Sequence, residues 1–481
     1  MKTSTANVIR GIPGGSAQKI RGYSFFLCGL LYIVTALTGA KILALPVAAV
    51  TVLCLAQCVP AISGVTRYAG AGLFGIGSAL FFSAGADLTI LCTAVTQNGK
   101  ILTLMIFVPM LSIPFGFPGY RRALEQVLQK MARGGSGGMY ALTHTVSHLI
   151  GVIVNIACVS ITYYMLKAGP AGRSPDLLAM ATARGYTTTC FWSPNSGALG
   201  LVLGYWGGSV ISIIPLGLPL AALALVLGWA DTICREYITS KNRLAVGEKT
   251  AISGESTVVT VVEPDSRAYR DFRQLLTVVS LLLALVILLD WATPLDILTI
   301  VPLMSLTYPF LWSIIAGEQK NQWLSFKRFI SGSLPNMSNE VIIFLGAGFF
   351  AVAIGQSGIG SYLPEIFERF SGSPTMLVAV LIIAVVGLSL VGFHPVMTTT
   401  CILASITPQS VGLPVTLLSV MVVASWALAV TCSPFSACSL SLSGITGNDP
   451  FTVGIRWQMT YTVLLFLITL LYFNFLLLFF Y

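Results

Sequence analysis

Two short polar segments interrupt otherwise apolar stretches: Ser193-Pro194-Asn195-Ser196 and Ser433-Pro434-Phe435-Ser436. Proline inside a helix removes a backbone donor and clashes with the preceding turn, so the helix opens. The carbonyls and hydroxyls freed in this way are costly against lipid and are tolerated only where they line a cavity. Open carbonyls suit a sodium ion, and the N-terminus of the resumed half-helix suits an anionic group. The plainer alternative is a pair of structural kinks whose serines re-satisfy the backbone. The spacing weighs against it. The segments lie 240 positions apart in a chain of 481, and the same shift superposes Gly204 on Gly444 and Gly207 on Gly447. Together with the serines and prolines, this makes five identities in fifteen positions, where composition predicts about one. An offset of half the length argues for an internal duplication.

Upstream of each segment stands a polar cluster. The first reads Thr143-His144-Thr145-Val146-Ser147-His148, followed by Asn155. The second reads Gly392-Phe393-His394-Pro395, then Thr398-Thr399-Thr400. His148 and His394 precede Ser193 and Ser433 by 45 and 39 residues, which places them near equivalent tips. Ionisable groups within a membrane normally face an interior path, and histidine titrates near physiological pH. Either one could donate to an anion or take part in proton coupling; the alternative is a hydrogen-bonded packing histidine. His144 and His148 share a helix face that could bind a metal. No glutamate lies between them, so a zinc-protease helix is excluded, and a histidine-based metal protein is the least favoured reading. Asp87 falls inside an apolar run and could carry protons or pair with a neighbouring helix. Glu340, with Asn336 and Asn339, reads as helix N-terminal chemistry, and Asp290 and Asp296 as interfacial groups.

The rest of the chain bounds what these groups can be part of. Apolar residues make up 56% of it and charged residues 9%, against about 25% charged in soluble domains; mean hydropathy is +0.87. Such a chain cannot cover a water-facing surface of its size. A soluble enzyme, a disordered chain and a nucleic-acid binder are excluded. The net charge of +9 does not restore the last, since the basic residues sit between apolar runs rather than on one face. The ten cysteines lie singly, mostly within apolar runs, as free thiols. No phosphate-binding glycine loop ends in Gly-Lys-Ser or Gly-Lys-Thr, which excludes a primary pump within this chain. No nucleophile, base and orienter set appears at helical or loop spacing, so an enzyme is not expected.

Thirteen apolar runs punctuate the sequence, and a span needs about 20 apolar residues. Residues 1–22 read as a cytoplasmic tail and 23–42 as an extra first helix. Residues 43–230 and 273–481 form the two copies, joined by a charged linker at 231–272. If runs 139–166 and 374–410 enter and leave on one side, eleven crossings remain. Lys41, Lys100 and Arg369 then fall outside, and the other 23 of the 26 basic residues inside. Treating 139–166 as a full span and 177–206 as the hairpin gives 20 to 6, so the positive-inside tendency favours the first arrangement. The copies then run in opposite directions. The expected fold is an all-α polytopic membrane protein: about eleven transmembrane helices, two re-entrant hairpins (139–166 and 374–410) and two inverted-topology repeats with broken helices (177–206 and 414–447).

Eleven crossings, two hairpins and two broken helices resemble the ion transporter superfamily, particularly the divalent-anion/sodium symporters. Ser193-Pro194-Asn195-Ser196 is similar to the Thr-Pro-Pro-Asn element of that family's broken helices; Ser433-Pro434-Phe435-Ser436 is the weaker counterpart, without the asparagine. The family's hairpin tips carry Ser-Asn-Thr, where this chain has Thr-Val-Ser-His and Phe-His-Pro-Val. The resemblance implies ion sites between tip and broken helix, a solute between the halves, and elevator motion of a transport domain against a dimeric scaffold. On that basis Ser147, His148, Asn195, Ser196, His394, Thr398 and Ser436 are the candidate solute contacts. Thr145, Ser193, Pro194, Thr399, Ser433 and Pro434 are the candidate ion contacts. The expected function is secondary active transport of a small, anionic, carboxylate-like solute coupled to sodium or protons, in the plasma (inner) membrane, N-terminus cytoplasmic, as a homodimer. The alternative is an efflux antiporter of the same fold, expelling an oxyanion or a cation. No resident cofactor or metal is expected beyond the transported Na+ or H+.

Overall fold

The computed structural model describes residues 15–131, 136–167, 172, 174–245, 266–358, 362 and 372–480. Every regular element among them is helical, as lipid requires of a spanning chain that is not a closed barrel, because a helix satisfies its own backbone. Among the described residues, ten helices are long and apolar enough to cross a bilayer by length and composition. The chain is a multi-pass membrane protein.

The first six helices are α1 (Ser16–Thr38), α2 (Ala44–Cys58), α3 (Val65–Ala84), α4 (Leu88–Thr96), α5 (Gly99–Phe107) and α6 (Pro118–Met131). A first helical hairpin follows, α7 (Ser136–Val154) and α8 (Ala157–Lys167). It leads to an interrupted helix, α9 (Pro175–Thr189) and α10 (Gly197–Trp206), and then to the long α11 (Val210–Ala245). The second half supplies α12 (Ser266–Ala292), α13 (Ile297–Ala316), α14 (Gln319–Arg328) and α15 (Ser338–Gln356). Its hairpin is α16 (Pro374–Leu390) and α17 (Pro395–Ser405), its interrupted helix α18 (Val415–Cys432) and α19 (Ala437–Thr446), and its last element α20 (Trp457–Phe480). α9 and α18 start exactly one repeat apart, at residues 175 and 415, and α10 and α19 at 197 and 437.

Burial divides the molecule into a centre and a rim. Nearly every residue of α9 and α18 is buried, whereas the outer helices expose large apolar side chains such as Leu45, Phe82, Leu281 and Leu478. In a bilayer these meet acyl chains at no cost. The interrupted helices therefore run through the middle of the protein, away from lipid.

Several boundaries differ from expectation. α1 begins at Ser16, inside the segment read as a tail, and α11 and α12 extend to 245 and from 266, well into the 231–272 linker; continuing a helix into water keeps its backbone paired. The apolar run containing Asp87 is two helices, not one. Gly85 turns the chain in the left-handed region, and Asp87 caps α4 by accepting Ile90 N at 2.8 Å. It is an exposed cap between two helices rather than a carboxylate within one. Glu340 lies in the first turn of α15. Asp290 accepts Val210 N at 3.0 Å, and Asp296 precedes α13, where it pairs with Lys100.

Arg184, which charge sorting assigns to the inner side, is fully buried in α9. Its Nη1 donates to Asp231 Oδ2 at 2.8 Å and Tyr140 OH at 3.3 Å, its Nε to Gln458 Oε1 at 2.8 Å, and its Nη2 to the Trp457 carbonyl at 3.1 Å. The Tyr461 ring stacks 4.4 Å from the guanidinium carbon. Asp231 also accepts Arg235 Nε at 3.0 Å. A guanidinium survives burial when its forked donors each find an acceptor, and here those acceptors come from α7, α11 and α20, tying the two halves together. Removing one charge strands the other, so Arg184→Ala or Asp231→Asn should each lower stability by about 3–5 kcal/mol. In thermal unfolding of the purified protein, Arg184→Met combined with Asp231→Leu should lose less than either single change; a double variant worse than both would refute the pairing.

Candidate functional site

The two interruptions are built alike. In α9 the hydroxyls of Thr187, Thr188 and Thr189 bond back to the carbonyls of Arg184, Gly185 and Tyr186 at 3.1, 2.7 and 2.6 Å, competing with the helical ladder just before it ends. Pro194 then denies the next donor. Ser193 N still reaches Thr189 O at 2.9 Å, and Ser196 N closes a turn on Ser193 O at 3.0 Å. In the second half Ser433 N reaches Ala429 O at 2.9 Å and Ser436 N closes on Ser433 O at 3.2 Å. Ser196 and Ser436 take extended conformations at the caps of α10 and α19.

Each interruption is stitched to the tip of its own hairpin by the first serine. Ser193 Oγ donates to Val152 O at 2.8 Å, in the last turn of α7, and accepts Asn195 N at 3.2 Å. Ser433 Oγ donates to Ser389 O at 2.7 Å, in the last turn of α16, and accepts Phe435 N at 3.2 Å. A glycine of the next helix supports each from behind. A Cβ on Gly217 of α11 would lie 2.1 Å from Phe191 O, and one on Gly454, in the π-turn opening α20, 2.9 Å from Pro434 N. Backbone on backbone is the only packing that fits there.

The halves then interlock. α10 packs against α17 and α18 of the second half, and α19 against α8 and α9 of the first. Each resumed half-helix directs its partly positive N-terminus from a break, while α7 and α16 end with their partly negative carbonyls at the tips.

The candidate residues fall into distinct groups. Ser193, Pro194, Asn195 and Ser196 form the first break, and all are buried; Ser433, Pro434 and Ser436 form the second. Ser436 Oγ caps α19 by accepting Ser439 N at 3.1 Å, whereas Ser196 Oγ has only the Cys190 thiol beside it. Thr399 Oγ1 is buried without a partner, and Thr398 is buried nearby on α17. Ser147 lies in the α7–α9 packing, donating to Thr182 O at 2.8 Å. Thr145 sits on an exposed face of α7, well before the tip.

The histidines are not equivalent. His148 lies on the arm before its tip, with Nδ1 2.8 Å from Thr188 Oγ1 and Nε2 accepting from Trp192 Nε1 at 3.3 Å. His394 lies after its tip, where it caps α17 through Val396 N at 3.2 Å and meets the Phe344 and Trp426 rings. The serine bonds align Val152 with Ser389, a shift of 237, so His394 matches Ala157 and the two histidines land on opposite sides of the turn. His144 packs against Tyr140 and Gly228, and no group of three or more potential metal ligands assembles among the described residues.

Asn98, between α4 and α5, carries no distinguishing motif and was not singled out by sequence. It is 2% exposed, donates to Phe344 O at 3.0 Å and Thr400 Oγ1 at 3.5 Å, and accepts from Tyr205 OH at 3.3 Å. It thereby joins the rim to α10 and α17. Beside it a cavity of ≈ 130 Å³ is lined by Lys100, Tyr205, Gly208, Asp296 and Leu298.

No protein-family model and no curated protein matches the sequence. The structure is similar to the crystal structure of the YdaH transporter of Alcanivorax borkumensis, with a TM-score of 0.50 and 14% sequence identity over 80% of this chain and 88% of that one. At that identity the likeness is one of fold.

The glycine supports yield a ranking. Gly217→Ala should destabilise more than Gly454→Ala, each by about 1–3 kcal/mol from overpacking. Gly355→Ala, where a Cβ meets open space on α15, should be neutral or mildly stabilising. Melting temperatures in one detergent check the order; equal losses at all three positions would contradict it.

Proposed function

We propose that this chain is a secondary active transporter of a small, anionic, carboxylate-like solute, coupled to sodium or protons and working by elevator-type alternating access. The observation that carries the proposal is the pair of interrupted helices, one repeat apart, buried at the centre and each bonded by a serine to a hairpin tip. An open backbone at that depth is tolerated only where it is buried in protein or lines a polar path, and two of them set 240 residues apart favour the path. The likeness of fold to YdaH, itself a transporter, supports the same reading.

In this mechanism the N-termini of α10 and α19 attract the anion, with backbone N–H groups and the hydroxyls of Ser196 and Ser436 as its first partners. Thr398, Thr399 and His394 supply further polar contacts from α17. The coupling ion takes its place among carbonyls between tip and break. Sliding is supported by the smooth face of α10: Cβ atoms on Gly197, Gly200 and Gly204 would press on Met105 and Leu298, so this half-helix meets α5 and α13 through small residues. The cavity lined by Lys100 and Asp296, which pair with each other, lies at the end of that face. Hairpins that re-enter the membrane, a cytoplasmic N-terminus, the inner membrane and a homodimer belong to the same proposal.

The test is uptake into proteoliposomes under imposed sodium, proton or voltage gradients, across a panel of mono- and dicarboxylates. The expected result is accumulation of at least one carboxylate that collapses when the driving gradient is dissipated, and a rate reduced about tenfold or more by Ser196→Ala combined with Ser436→Ala. Flux indifferent to every gradient, or no carboxylate flux at all, would overturn it.

A further inference from the structure

On the outside of the molecule, α2 and α3 follow one another through the short segment 59–64 and leave a cleft between them. It encloses ≈ 410 Å³, walled by Val52, Leu55 and Val59 of α2 and by Ala71 and Phe74 of α3, with Ile342 of α15 as its floor. Val52 and Val59 are exposed, so the cleft opens outward. Small residues keep it unfilled. α3 is drawn down onto α15 at Gly70, where a Cβ would stand 2.5 Å from Ile342 Cγ2, and Ala56 and Ala71 extend only methyl groups into the space above.

One group in the lining is charged. Arg67 stands exposed in the first turn of α3, with no hydrogen bond or ion pair to any described residue. Its neighbour Tyr68 is 80% exposed, and tyrosines favour the headgroup level of a bilayer. Val59 and Arg67 form the mouth of the cleft. Val52 and Phe74 lie seven residues further along their helices, about 10 Å deeper. A charged mouth above an apolar length matches a phospholipid, with phosphate at the guanidinium and an acyl chain below. An apolar recess facing lipid does not stay empty, because its walls would lose their dispersion contacts, and water finds no polar partners in it. A guanidinium can hold a phosphate through two parallel N–H bonds, and the free N–H groups opening α3 add to the positive potential. A zwitterionic headgroup brings its own cation and leaves the arginine charge uncompensated, whereas an anionic one neutralises it. Two copies of the chain meeting symmetrically across this cleft would set one Arg67 against the other.

We propose that the α2–α3 cleft binds one anionic phospholipid, its phosphate on Arg67 and one acyl chain laid along the wall from Val59 to Val52. The site is separate from the two breaks and requires only that the chain sits in a bilayer, so it stands whether or not the transport reading does.

The full-length protein, purified and delipidated in detergent, is titrated with phosphatidylglycerol or with phosphatidylcholine of the same acyl chains. Native mass spectrometry counts the lipids retained, and thermal unfolding reads the stabilisation. Wild type should retain one phosphatidylglycerol, bound about fivefold or more tightly than phosphatidylcholine. Arg67→Gln should reduce phosphatidylglycerol to the phosphatidylcholine level. Lys320→Gln, which removes an exposed charge on α14, should leave the preference intact. Ala56→Phe fills the cleft and should weaken both lipids, and inorganic phosphate should stabilise nothing. Equal affinity of wild type for the two lipids, a preference that survives Arg67→Gln or falls equally with Lys320→Gln, or binding undisturbed by Ala56→Phe would each overturn the assignment. So would stabilisation by inorganic phosphate alone, or a lipid-free dimer that Ala56→Phe dissociates, which would put a second copy in the cleft.

Discussion

A polypeptide that opens its helix in the middle of a membrane protein must find partners for every freed N–H and C=O, because neither lipid nor an apolar core supplies them. That constraint organises this structure. Each opening is closed by one serine hydroxyl that donates to the neighbouring hairpin tip and accepts from the backbone two residues on. The bond fixes tip and break as one unit. It also explains why the hairpin exists: a helix end has to be brought to the break, and a chain reversal at Asn155 or Gly392 is the shortest way to bring it.

Around those two joints the packing follows. Glycines 217 and 454 let the next helix lie directly on the open backbone, and the resumed half-helices cross into the opposite halves, so neither copy is complete without the other. The Arg184–Asp231 pair fastens this crossing at one end only, since its 240-shifted counterpart is Ala424. The two halves share a backbone frame, but a charged clamp stands on one side only and a tip sealed by the Asn195 amide on the same side. Both differences distinguish the halves chemically while the backbone remains shared.

The fold was legible because the periodic signals that carry it are strong. Apolar runs of span length, the charge-rich segment near mid-chain and a repeated Ser-Pro-x-Ser element suffice to give an all-helical membrane protein with two broken helices. The site was legible only in part. Ser193, Asn195 and Ser433 stand where proline-induced opening puts them, because that rule is local. His148 and His394 looked equivalent by distance along the chain, but a difference of six residues carries them past opposite sides of a turn. Asp87 looked like a carboxylate within one helix because Gly85, which turns the chain before it, is an ordinary residue in apolar runs.

Sequence alone determined what depends on composition and short-range geometry: the solvent this chain requires, the helical repertoire, and the two places where a helix cannot continue. Tertiary structure alone decided which distant groups meet. Nothing in the sequence shows Arg184 to be buried, and only the acceptors from α7, α11 and α20 make its burial bearable. Asn98 and Asn155 are likewise plain polar residues until a fold sets carbonyls within 3 Å of their amides. Hydrogen bonds and ion pairs are short-ranged and directional, so their partners are fixed by three-dimensional proximity, which no one-dimensional pattern encodes.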